Sequence, residues 1–141
     1  NNGVSQGKLV GGTLSIICSL LGTGFLPSFQ NAIVVLEDIG ESEYKIDRYF
    51  AQLNLAGIFN QINGLVWGNF TNCKTDPNSV VATRSLDEIF KDYFSELNIP
   101  VLGDFPFGHE KKKFTLPIGI NAELNCKQGF LRLLEPGVLD E

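Results

Sequence analysis

An α/β fold, with a small sheet flanked by helices, is predicted by three features of this sequence. Ala32-Ile33-Val34-Val35-Leu36 is a β-branched apolar run short enough to be a buried strand. The stretches Tyr44 to Ala56 and Leu86 to Leu97 repeat apolar residues at the three- and four-residue steps of a helix face. Strand-like and helix-like segments alternate as far as Leu102, and short strand-like segments follow.

Taken in order, Lys8 to Val10 reads as extended. Gly11-Gly12 reads as a tight turn into an apolar helix, Leu14 to Leu21, that stops at Gly22. Gly24 to Gln30 is a loop, and the strand Ala32 to Leu36 ends at Glu37-Asp38. In the next helix Tyr44, Ile46, Tyr49, Phe50, Leu53 and Ala56 share a face, with Ser42 as N-cap and Gly57 as the stop. Gly64 to Phe70 reads as a second buried strand, and Thr71 to Thr83 as a polar loop able to reach a ligand. Ser85 and Glu88 form an S-x-x-E capping box ahead of the helix Leu86 to Leu97. Pro100 to Leu102 begins a third buried strand. A loop rich in Gly, Phe and Pro then leads to His109, and Phe114 to Pro117, Ala122 to Leu124 and Phe130 to Leu134 read as strands.

The 141 residues, 43% of them apolar and 11 of them Phe, suffice for one core, and no repeat or linker divides residues 1–141. A net charge of -5 gives no basic surface to attract nucleic acid. No apolar run approaches the roughly 20 residues of a membrane span. Cys18, Cys73 and Cys126 are odd in number and lack zinc-site spacing, so they read as small core residues of a reducing compartment, with no metal expected. The absence of Met predicts that Asn1 follows a cleavage or a cut, which makes the chain a fragment.

Glu37 stands at the carboxyl end of a strand, where α/β sheets border their ligand crevices. From position alone, Glu37-Asp38 could equally mark a strand leaving for water or cap a backbone turn. His109 is the single histidine and follows Phe105-Pro106-Phe107-Gly108, a stiff approach with one glycine for close passage. It suits a proton carrier near neutral pH, although a lone loop His is also a common surface or packing residue. Lys111-Lys112-Lys113 reads as a solvated strand edge. Gly11-Gly12 lacks the rest of a nucleotide-binding pattern, so no cofactor is expected. Asn69-Phe70-Thr71 matches a glycosylation pattern only formally, and Trp67 reads as core.

Several stretches occur in the order found in one family. They are Gly11-Gly12-Thr13-Leu14, Leu21-Gly22-Thr23, Val34-Val35-Leu36-Glu37-Asp38-Ile39-Gly40-Glu41, Ile46-Asp47-Arg48-Tyr49-Phe50-Ala51-Gln52-Leu53, Phe107-Gly108-His109 and Thr115-Leu116-Pro117-Ile118-Gly119. Together they resemble the C-terminal domain of the LD-carboxypeptidases, serine hydrolases that include the microcin C immunity proteins. The resemblance implies a swivelling β/β/α-type domain in which Glu37 is the acid and His109 the base of a Ser-His-Glu triad. No serine from Ser5 to Ser95 lies in a matching motif, so the nucleophile is expected on a preceding N-terminal domain absent here. The family usually has Asn where this chain has Thr13. That departure is expected to affect a hydrogen bond at the domain edge and not the triad.

The implied activity is hydrolysis of the bond between an L-centre and a terminal D-amino acid in murein peptides recycled in the cytoplasm, without metal or cofactor. The implied partners are that peptide and the chain's own nucleophile domain, and a homodimer is a separate expectation. With that domain missing, the side bearing Glu37 and His109 is expected to expose an apolar patch, through Phe105 or Phe107, that is prone to self-association. The alternatives are an immunity-type hydrolase of peptidyl-nucleotide toxins and a non-catalytic module that binds cell-wall peptides.

Overall fold

The computed structural model describes residues 2–75 and 84–138. Along the chain run β1 (Val4–Thr13), α1 (Leu14–Leu20), β2 (Ile33–Ile39), α2 (Glu43–Leu55), β3 (Gly64–Thr71), α3 (Leu86–Phe94), β4 (Val101–Leu102), β5 (Asn121–Asn125) and β6 (Phe130–Leu133). Among the described residues the strands form one sheet in the order β4-β3-β2-β1-β5-β6. The expected α/β class, a sheet flanked by helices, is what the structure has.

β1 serves two kinds of pairing. Its second half, Leu9 to Thr13, lies parallel to Ile33 to Glu37 of β2, and its first half, Val4 to Lys8, runs antiparallel to β5. β2, β3 and β4 continue the parallel part, and β6 extends the antiparallel part. The predicted turn at Gly11-Gly12 is therefore wrong, because the strand passes straight through it. Both glycines have positive φ, and a Cβ on Gly11 would lie 1.9 Å from the Val35 carbonyl oxygen. Glycine here lets two backbones approach each other.

Each parallel connection carries a helix, and all three helices pack on one face. Ile17 and Cys18 of α1, Ile46, Phe50 and Leu53 of α2, and Ile89 and Phe94 of α3 bury against Val34, Leu36 and Leu65 of the strands. Trp67 joins them, its ring centroid 5.1 Å from Phe90 and 5.3 Å from Phe94, so the core reading of Trp67 holds. The opposite face holds a smaller core of Leu9, Ile33, Val35, Val66, Ala122 and Leu124, with Phe105, Phe107 and Leu116 packed over it. Successive strand residues point to opposite faces, which is why Val34 and Leu36 meet helices while Ile33 and Val35 meet loop aromatics.

The capping box at Ser85 and Glu88 is present, with Ser85 Oγ accepting from the Glu88 N–H and Glu88 accepting from the Ser85 N–H. α3 ends at Phe94, a turn before Leu97. Ser42 occupies the N-cap of α2 without a side-chain cap bond, and Gly57, at φ 71°, stops that helix as expected. The strand expected at Phe114 to Pro117 does not form. The Phe114 N–H turns back to the Pro106 carbonyl, and Pro117 has no N–H to offer a ladder. Lys111, Lys112 and Lys113 are solvated, but on a bend and not beside a strand. Most of the polar loop expected at Thr71 to Thr83, residues 76–83, lies outside the described residues, and Thr71 itself closes β3. No helix among the described residues is long and apolar enough to cross a membrane.

Candidate active site

The alternation that sorts the core also separates the two carboxylates at the end of β2. Asp38 follows Leu36 toward the helices, and Glu37 follows Val35 toward the loop face. Both are nearly inaccessible, Glu37 at 3% exposure and Asp38 at 1%.

Asp38 is a structural group. Its carboxylate accepts the Ser15 N–H at 2.8 Å, the Ser15 hydroxyl at 3.2 Å and the Ile39 N–H at 2.8 Å. It thereby takes up an N–H of the first turn of α1 that has no partner within the helix. Burial pushes its carboxyl above the ordinary range, against the pull of those bonds. Of the two readings left open by position, the cap belongs to Asp38.

Glu37 has different company. The Thr13 hydroxyl donates to Oε1 at 2.7 Å, and His109 Nδ1 lies 2.6 Å from Oε2. The pair predicted to share a crevice, 72 positions apart in the chain, is thus in direct hydrogen-bond contact. The Glu37 side chain is 4% exposed and that of His109 is 46% exposed, so the carboxylate anchors the pair and the imidazole faces solvent.

The chain reaches this geometry by laying the His109 loop along β3. The Phe105 N–H donates to the Trp67 carbonyl at 3.1 Å and the Asn69 N–H to the Phe107 carbonyl at 3.0 Å. Gly68 makes room for that loop, since a Cβ there would lie 2.4 Å from Phe107. Gly108, at φ 113°, lets the backbone pass over the carboxylate, 3.0 Å from where its own Cβ would stand. Just past His109, the Thr71 hydroxyl donates to Glu110 at 3.0 Å and ties the loop's far side to β3. A cavity of about 260 Å³ opens beside it, lined in part by Asn69, Asp104 and Glu110.

Thr13 was expected to lie clear of the triad, and the structure corrects this. The parallel register sets Thr13 opposite Glu37. Only strand pairing reveals that neighbour, and position along the chain does not. Phe105 and Phe107 were expected to be exposed around the site, and that is also corrected. Both are half-buried on the second core, and Phe114, at 62%, is the exposed aromatic nearby in sequence, its ring 6.0 Å from Phe105.

The cysteines take no part. All three are free thiols, Cys18 and Cys73 buried and Cys126 half-buried. Burial, and next the charge of Asp38, pushes the Cys18 thiol up to about 12, and burial also raises Cys73 and Cys126. Such thiols are poor nucleophiles. No cluster of three His, Cys, Asp or Glu groups among the described residues is placed to hold a metal ion.

Residues 6–124 match the family described as the LD-carboxypeptidase C-terminal domain. The chain belongs to that family. A relative from Synechocystis sp. is 36% identical over 132 residues, covering 94% of this chain and 43% of its own length. The murein tetrapeptide carboxypeptidase of Pseudomonas aeruginosa is 34% identical over 120 residues, covering 84% of this chain and 38% of its own length. Among solved structures, the muramoyltetrapeptide carboxypeptidase of Oxalobacter formigenes superposes with a TM-score of 0.80 at 33% identity, over 94% of this chain and 46% of that one. This LD-carboxypeptidase domain therefore spans less than half the length of the relatives it matches.

Proposed function

We propose that this domain supplies the base and the acid of a serine-type LD-carboxypeptidase, with the nucleophilic serine carried by a preceding domain of the same protein. The observation that carries the reading is the 2.6 Å contact between His109 Nδ1 and the buried Glu37 carboxylate. With Nδ1 engaged, Nε2 is the nitrogen that takes the serine proton and later hands it to the leaving amine. Glu37 holds the ring in that tautomer and stabilises the imidazolium as it forms.

The substrate class follows the relatives named for murein peptides: a peptide whose terminal D-amino acid is joined to an L-centre. A cytoplasmic place in murein recycling is part of the same proposal. The Glu37–His109 pair disfavours a purely non-catalytic binding module, which has no use for a solvent-facing imidazole on a buried carboxylate. Immunity-type hydrolysis of a peptidyl-nucleotide would use the same pair and differ only in the substrate.

The test is turnover of a murein tetrapeptide by the full-length protein and by this domain alone. Release of the terminal D-amino acid by the full-length protein, and none by the folded domain, is the expected result, because two triad groups cannot form an acyl-enzyme. Hydrolysis by the domain alone, abolished by replacing one of its own serines, would overturn the assignment of the nucleophile elsewhere.

A further inference from the structure

We propose that Thr13 is the positioning residue of the Glu37–His109 pair, its hydroxyl fixing the carboxylate plane that selects the working tautomer of His109. This rests on the hydrolase reading above and adds to it a residue outside the triad.

A carboxylate held by one hydrogen bond can still turn about its terminal torsion, which has only a broad preference. Glu37 is held at both oxygens, Oε1 by Thr13 at 2.7 Å and Oε2 by His109 at 2.6 Å. At 3% exposure it has little access to water that could replace a lost donor. The adjoining Gly12 and Gly108 offer no side-chain hydroxyl in its place.

A second observation shows where the hydroxyl of Thr13 is committed. Thr13 occupies the N-cap position of α1, where a Thr hydroxyl ordinarily accepts an N–H of the first turn, yet it makes no such bond. Asp38, from the neighbouring strand, accepts the Ser15 N–H instead. Capping of α1 is thereby delegated to one carboxylate, and Thr13 is left to orient the other. The adjacent acids on β2 thus divide two tasks around one threonine.

The experiment compares Thr13→Val and Thr13→Ser in the full-length enzyme, with ¹⁵N imidazole shifts of His109 as a readout independent of turnover. Thr13→Val is expected to lower kcat roughly tenfold to a hundredfold, the range of a hydrogen bond to a charged group, with KM changed less than about threefold. The ¹⁵N shifts should move from one tautomer toward a mixture. Thr13→Ser should restore both. If Thr13→Val does not fold, Thr13→Ala against Thr13→Ser makes the same comparison. A hydroxyl-free variant with wild-type tautomer and kcat would overturn the proposal. So would one that loses thermal stability and kcat while its tautomer stays single, since that is a structural role alone. Failure of the hydrolase reading would look different: His109→Ala would keep its turnover, while the imidazole shifts would still report on Thr13.

Discussion

Glu37 and Asp38 are adjacent in the chain, yet their carboxylates serve opposite faces of the sheet, Glu37 meeting His109 and Asp38 meeting Ser15. Replacing each should therefore give a different defect.

On the proposed triad, Glu37→Gln in the full-length protein is expected to reduce turnover on the order of 10⁴-fold, by analogy with serine triads. His109→Ala should cost several orders of magnitude while the protein stays folded, because a half-exposed loop imidazole holds little of the core. The double variant should be little worse than the worse single one. Replacing Glu110 or Lys112 should change activity less than about tenfold. Steady-state kinetics with matched circular dichroism check all four, and near-normal turnover in His109→Ala would end the catalytic assignment.

Asp38→Ala should do the reverse. It removes the acceptor of three part-buried hydrogen bonds from Ser15 and Ile39, at about 1–3 kcal/mol. For a domain of this size that lowers Tm by several degrees, and calorimetry reads it.

The pH dependence of Asp38 can be given a sign. Its folded pKa lies above the ordinary 3.8, so between that value and the raised one the folded state binds more protons than the unfolded state. The contribution of Asp38 to stability is greatest below 3.8, declines as pH rises through the window and is level above it. The stability of wild type relative to Asp38→Asn should therefore fall with rising pH across that interval. A difference that grows with pH in denaturant titrations would contradict the shift.

Thiol labelling tests the burial. With Cys18 at about 12, roughly one thiol in 10⁴ is ionised at pH 8, so iodoacetamide should label it at measurable rates only after unfolding. Cys126, half-buried, should react before Cys18 and Cys73. Rapid native modification of Cys18, read by mass spectrometry, would refute the packing around α1.

Gly108→Ala should disturb the site directly. The residue sits at φ 113°, and its new Cβ would press on the Glu37 carboxylate. Loss of about 1 kcal/mol or more from the backbone conformation, together with at least tenfold lower turnover, is expected.

Much of this was legible in the sequence for physical reasons. The run Ile33 to Leu36 is buried on both faces and so is apolar throughout, which marks it as a central strand. The Ser85 and Glu88 box is a local pattern of local bonds. Glu37 and His109 came from the family resemblance, since nothing in their spacing joins residues 72 apart. What stayed hidden depends on neighbours across strands. Val4 to Lys8 holds a single apolar residue, so it carries no strand pattern of its own and is ordered by pairing with β5, and Gly11-Gly12 looks like a turn until Val35 is laid beside it. Thr13 contacts Glu37 through register, which no stretch of sequence displays.

The helices all lie on one face, so the second core is covered from Phe105 to Leu116 by the loop that bears His109. The imidazole therefore rides on a plug of oily side chains, and anything that resizes the socket beneath it moves His109. In a mutational scan scored by activity, Val35 and Val66 would behave like active-site positions although neither reaches a substrate. Grafting this loop onto another scaffold would fail unless its aromatic underside found a matching hollow.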